Sequence, residues 1–161
     1  MHPHEQCIRD FYAAFARRDA AGMARCYHPD IVFSDPVFRL LKGKEANAMW
    51  AMLTARATQF ELTLIEADAD SEGGHARWEA KYLYSATGRP VHNRVEAVFA
   101  FRDGLIVRHV DRFNLWRWAS QALGPIGALL GWSWPLKALI RKKARRALGS
   151  YEARADREKE T

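Results

Sequence analysis

Val98-Phe99-Ala100-Phe101-Arg102-Asp103-Gly104-Leu105-Ile106-Val107-Arg108-His109-Val110-Asp111-Arg112-Phe113-Asn114 is the stretch on which the fold turns. Asp103-Gly104 is a strong hairpin signal, because both residues tolerate the positive φ of a two-residue turn. The flanks are β-branched and aromatic and alternate in polarity, so 91–102 and 105–114 read as paired antiparallel strands. Successive side chains of a strand point to opposite faces. Leu105, Val107, His109, Asp111 and Phe113 therefore share one face, as do Val91, Asn93, Val95, Ala97, Phe99 and Phe101 on the preceding strand. An imidazole and a carboxylate two residues apart on an apolar face need partners if that face is buried. Three readings stay open: a structural hydrogen-bonded pair, a face turned to solvent, or an acid/base pair in a dry pocket that raises a carboxyl pKa.

Upstream, 60–69 and 75–85 read as two more strands, joined through the turn signals Ser71-Glu72-Gly73-Gly74 and Thr87-Gly88-Arg89-Pro90. On 75–85, Ala76, Trp78, Ala80, Tyr82 and Tyr84 oppose Arg77, Glu79 and Lys81. Earlier still the period lengthens. Ile8, Phe11, Tyr12 and Phe15 mark a helix over 5–18, and Asp19 caps a second over 20–27 that ends at His28-Pro29. Ile31-Val32-Phe33 is a short strand, and a third helix over 43–58 carries Ala46, Met49, Trp50 and Leu53 on one face. Helices followed by hairpin strands predict an α+β domain, with helices laid on one face of a curved antiparallel sheet. Asp35, between the short strand and Pro36, is either a turn aspartate accepting backbone N–H bonds or a carboxylate that moves a proton. Tyr12, Trp50, Trp78 and Phe99 each suit a core, and together they are bulky enough to line a cavity.

A length of 161 residues suits one domain, and 48% hydrophobic content excludes a wholly disordered chain. Cys7 and Cys26 are too few for a disulfide framework and lack metal spacing, which fits reduced thiols and a cytoplasmic setting. No secretory leader is expected from Met1–Gln6, and the uncharged run 118–136 is too broken by polar residues, Gly and Pro to span a bilayer. The net charge of +6 is a property of one end. Residues 137–161 hold nine Lys/Arg and four acids (+5), against 16 and 15 (+1) in the first 136.

Several segments together resemble the nuclear transport factor 2-like superfamily, in its SnoaL-like and ketosteroid-isomerase-like branch. They are Phe11-Tyr12-Ala13-Ala14-Phe15 with Asp19, the run Tyr27-His28-Pro29-Asp30-Ile31-Val32-Phe33-Ser34-Asp35-Pro36-Val37, the helix opened by Gly43-Lys44, and Val98–Ile106. The resemblance covers residues 5–115 and rests on the order of the elements. It implies a cone whose helices close a bent sheet around a deep apolar cavity, often in a homodimer formed through the sheets. Asp35-Pro36-Val37 resembles the segment in which ketosteroid isomerases place their proton-shuttling base; their oxyanion-donating tyrosine falls at Phe11, beside Tyr12, and their second oxyanion acid near Ala97. Asp111 resembles the last-strand Asp of limonene epoxide hydrolase and the acid/base Asp of SnoaL-like cyclases. The hydrolase's Arg-x-Asp has its nearest match in Arg77-Trp78-Glu79, whose charges alternate onto the opposite face.

The expectation is a cone-shaped core over 1–115, a helical extension of the same domain over 116–150, and a frayed charged tail over 151–161. In this region 115–123 and 135–148 read as helices joined through Gly124-Pro125 and the 131–135 stretch, and Leu136, Leu139 and Ile140, continued by Ala144 and Leu148, give the second an apolar stripe. Asp35, His109 and Asp111 are the candidate catalytic residues, and Tyr12, Trp50, Trp78, Tyr82, Asn93, Phe99 and Phe113 the candidate pocket. Cofactor-free isomerase, cyclase or epoxide hydrolase chemistry on a small hydrophobic molecule is one reading. A non-catalytic ligand-binding or dimerisation module is the other. For the extension three roles compete: a lid formed with Trp132 and Trp134, contact of 136–148 with an anionic membrane surface, or packing on a partner subunit. The basic cluster is confined to one helix and no nucleic-acid module is recognised, so nucleic acid is not an expected partner.

Overall fold

The computed structural model describes residues 1–161. Helix α1 (Pro3–Ala16) begins where His2 accepts the His4 N–H and Pro3 occupies the first turn, a position that has no use for the missing proline N–H. Its apolar stripe of Ile8, Phe11, Tyr12 and Phe15 is buried throughout. Helix α2 (Ala20–Cys26) is capped by Asp19, whose carboxylate accepts the Gly22 N–H at 2.8 Å. The chain then enters β1 (Tyr27–Ser34), β2 (Leu41–Lys42), α3 (Lys44–Arg56), and the strands β3 (Thr58–Ala69), β4 (Gly74–Leu83), β5 (Pro90–Arg102) and β6 (Leu105–Arg112).

These strands form one six-stranded sheet in the order β2-β1-β6-β5-β4-β3, antiparallel except where β1 joins β6 in parallel. The parallel pairing follows from connectivity, because the whole of β2 through β5 intervenes and supplies the long crossover that parallel neighbours need. Irregularities in β3, β1 and the β5–β6 pair bend the sheet around α1. One of them alters the expected face of the last strand. Ala100 pairs with Arg108 and Phe101 with Ile106, which leaves Val107 as an extra residue. Ile106 is therefore fully buried where alternation placed Leu105 and Val107, and His109 and Asp111 resume the inward phase beyond the bulge.

Beyond the sheet lie α4 (Leu115–Leu123), α5 (Pro125–Leu130) and α6 (Trp134–Glu160). Asn114 caps α4 by accepting the Arg117 N–H at 3.0 Å. The β4–β5 turn holds α4 through Thr87 Oγ1 to Ala122 O (2.6 Å) and Arg89 Nε to Gln121 O (2.9 Å). Between α4 and α6 the short helix α5 nests against α4. A Cβ on Gly127 would stand 1.9 Å from the Ala119 carbonyl oxygen, so only glycine permits this approach. Helix α6 returns over the core: Leu148 is buried in it, Arg141 Nε donates to Pro36 O at 2.9 Å, and Arg145 pairs with Glu45 at 2.9 Å. It continues to Glu160, through the segment read as frayed, in a run rich in Ala, Arg, Glu and Lys that lacks helix breakers beyond Gly149.

Candidate active site

A cavity of about 390 Å³ opens between the concave face of the sheet, α3 and α6, and most of its wall is apolar. Strands β4, β5 and β6 contribute Trp78, Tyr82, Asn93 and Asp111, α3 contributes Trp50, and Phe113 follows β6. Asp35 enters from the end of β1. The roof is α6, through Leu136, Ile140, Ala144 and Ala147. Trp132 and Trp134, which the lid reading would set across the mouth, are exposed and do not line the cavity.

Asp35 and Asp111 share this chamber, whereas His109 lies behind it. His109 is fully buried, and its Nε2 lies 2.8 Å from Asp111 Oδ1. Its Nδ1 lies 2.7 Å from the Tyr27 hydroxyl, which accepts the Trp50 Nε1–H at 2.8 Å. Indole N–H can only donate and a carboxylate can only accept, which fixes the two ends of the series. Trp50 donates to the Tyr27 hydroxyl, and His109 Nε2–H donates to Asp111. Phe11, Phe33 and Phe99 pack around the ring, with centroids 4.5–5.4 Å away. One oxygen of Asp111 is thereby fixed from behind, and no protein donor reaches the other.

Asp35 sits in an Asx turn, Oδ1 accepting the Val37 and Phe38 N–H groups at 2.7 and 2.5 Å. Burial raises its carboxyl to about 7, with the charge of Asp111 adding to the effect and the two backbone bonds opposing it. Asp35 is thus a turn aspartate whose carboxyl also faces the cavity. The Tyr82 hydroxyl accepts the Trp118 Nε1–H at 2.9 Å, and burial pushes its pKa up to about 12.

Tyr12 and Phe99 are core residues behind the wall, not lining residues. The Tyr12 hydroxyl and Trp78 Nε1 are buried without a hydrogen-bond partner. Burial, and after it the charge of Asp111, raises the Tyr12 pKa well above the tyrosine range. Tyr27 is not legible as a site residue, because the sequence reading carries the helix through 27 whereas the structure ends it at Cys26 and starts β1 at Tyr27. Arg56 and Lys143, both exposed, add two cations to the lining. Arg77 and Glu79 lie on the outer face, paired with Glu66 at 2.7 Å and His92 at 2.9 Å. No arginine of that motif enters the cavity.

The family model of the SnoaL-like domain matches residues 8–109. The chain belongs to the SnoaL-like domain family. Its solved neighbours carry the same fold at low identity. An LEH-like epoxide hydrolase from M. tuberculosis superposes with a TM-score of 0.64 at 19% identity, over 81% of this chain and 97% of the other. A hypothetical protein with a ketosteroid isomerase-like fold from Catenulispora acidiphila, solved with trimethylamine, gives 0.65 at 14%, over 74% and 93%. An NTF2-like protein of unknown function from Burkholderia pseudomallei gives 0.61 at 20%, over 71% and 92%. No curated protein matches in sequence.

Proposed function

We propose that this SnoaL-like protein binds a small hydrophobic molecule in its cavity and moves protons on it without a cofactor, with Asp111 as base and Asp35 as acid. The observation that carries the reading is the unequal treatment of two carboxyls in one apolar chamber. Asp111 has one oxygen held by His109 Nε2–H and the other free, whereas Asp35 is pushed up to about 7 by burial. Carboxyls whose environments differ in this way divide acid and base roles between them. Asp111 takes a proton from a carbon beside a carbonyl; Asp35 returns one at another atom of the same molecule. His109 is a positioning residue, since it lies outside the cavity and acts through Asp111.

Isomerisation and aldol-type cyclisation need only this proton traffic. Epoxide hydration of the limonene epoxide hydrolase type would also need the arginine partner, and Arg77 points to the opposite face. The reading therefore favours proton transfer at carbon. The test is turnover of a panel of cyclic ketones, polyketide-like diketones and epoxides by the wild type, Asp111→Asn and Asp35→Asn. Loss of the base should lower kcat by roughly 10²–10⁴-fold. Asp35→Asn should lower it too and remove the fall in rate above pH ~7 that deprotonation of the acid imposes. Unchanged turnover in both variants would leave a ligand-binding module.

A further inference from the structure

Outside the cavity, α5 and the start of α6 carry an apolar surface with no partner in the chain. Trp134 is 80% exposed, Leu129 72% and Trp132 63%, and Ile126, Leu130 and Leu139 are exposed beside them. Ile126, Leu129 and Leu130 recur at i, i+3 and i+4, so α5 shows one continuous apolar face while Gly127 holds its other side against α4. Lys142 and Arg146 follow Leu139 at i+3 and i+7, on the outward side of α6 and in no ion pair. Between Asp111 and Glu152 the chain has no acidic residue and eight basic ones: Arg112, Arg117, Lys137, Arg141, Lys142, Lys143, Arg145 and Arg146.

We propose that this face docks on the surface of an anionic lipid bilayer, with Leu129, Trp132 and Trp134 in the interfacial layer and the α6 cations against the headgroups. Tryptophan on an apolar face flanked by Lys and Arg matches the chemistry of that layer. Charge separates this occupant from a second copy of the chain. A two-fold contact sets a patch against itself, and here it would place cations on cations with no acid to answer them. An anionic surface offers the complementary charge, and no helix is long and apolar enough to go further and cross. Leu139 also belongs to the cavity lining, so docking brings the α6 side of the cavity to the lipid.

The test is co-sedimentation of the full chain with vesicles of phosphatidylcholine and phosphatidylglycerol in equal parts, against vesicles of phosphatidylcholine alone. Binding is expected to the anionic vesicles, to weaken with salt, and to be accompanied by a blue shift of tryptophan emission. Lys142→Gln with Arg146→Gln should cost about fivefold in partitioning for each charge, and so roughly 25-fold together. Leu129→Ser with Trp134→Ser should abolish the blue shift; these side chains are exposed, so the fold is retained. Equal sedimentation of these variants and the wild type, or no sedimentation at all, overturns the proposal. So does a wild-type dimer that the Leu129→Ser/Trp134→Ser variant dissociates, which would give the face to a second copy. None of these readouts involves turnover, so docking and acid/base chemistry stand or fall separately.

Discussion

Asp35 carries the clearest titration in the molecule. Its carboxyl moves from an ordinary value near 3.8 to about 7, chiefly through burial. A group whose pKa rises on folding contributes stability that is complete below its unfolded pKa and is lost as pH climbs through the folded one. The thermal midpoint of the wild type should therefore fall between pH 5 and pH 8, and Asp35→Asn, whose amide oxygen still accepts the turn N–H groups, should flatten that fall; calorimetry across the range checks it. The carboxylates whose pKa is lowered, Glu66, Asp70 and Glu79, act below this window and leave it clear. A second prediction concerns Tyr27. Tyr27→Phe strips the buried Trp50 N–H and His109 Nδ1 of their common partner, at about 1–3 kcal/mol for a buried group left unpaired. Urea unfolding should register the loss; an unchanged midpoint would mean that the hydroxyl does not connect the two rings. Strand alternation is enough to place His109 and Asp111 on one face; that the face turns inward is a fact of the folded sheet. It could not supply Tyr27, because contacts between β1 and β6 depend on which strands become neighbours, and local pattern says nothing of that.

Among the elements, those with strong internal periodicity were legible and those defined by contact were not. Helix α4 is legible at both ends: the sequence reading of 115–123, stopped at Gly124-Pro125, is the helix that the structure shows, with Asn114 as its cap. The hairpin at Asp103-Gly104 was equally plain, since Asp103 takes the positive φ that the turn requires. The bulge at Val107 was invisible: its own side chain is unremarkable, and only pairing across to Ala100 and Phe101 creates it. Helix α5 is not legible, because six residues with a glycine among them are too few to show a helical period or to hold a helix on their own. Its stability comes from packing on α4, where Trp116 Nε1 donates to Ala128 O at 3.0 Å and Gly127 allows backbone contact. Gly127→Ala must push the two helices apart, since the obstacle is a carbonyl oxygen and cannot rotate away. The expected cost is about 1–3 kcal/mol. Faster amide hydrogen exchange confined to α4 and α5, with the sheet amides unchanged, is the local signature to look for.

At the scale of the molecule, the charge asymmetry was readable from composition, but where the charged end goes was not. Leu136, Leu139, Ile140, Ala144 and Leu148 formed a visible stripe, and a stripe does not name what it packs on. The structure sends it over the cavity and the core. Leu148 is 1% exposed within the same hydrophobic cluster as Phe11, Phe33 and Trp50, while Ala144, Ala147 and Tyr151 pack against it. Lifting this roof uncovers Leu148 and the cavity together. The extension and the cone should accordingly unfold as one unit. Far-ultraviolet dichroism follows all the helices and near-ultraviolet dichroism the packed aromatics, and the two transitions should superimpose. Leu148→Ala should shift both together by about 2–5 kcal/mol, the usual cost of emptying a buried leucine site. If α6 were instead a loosely attached lid, the same substitution would split the curves, with helix lost at lower denaturant while the aromatic signal of the cone stayed in place.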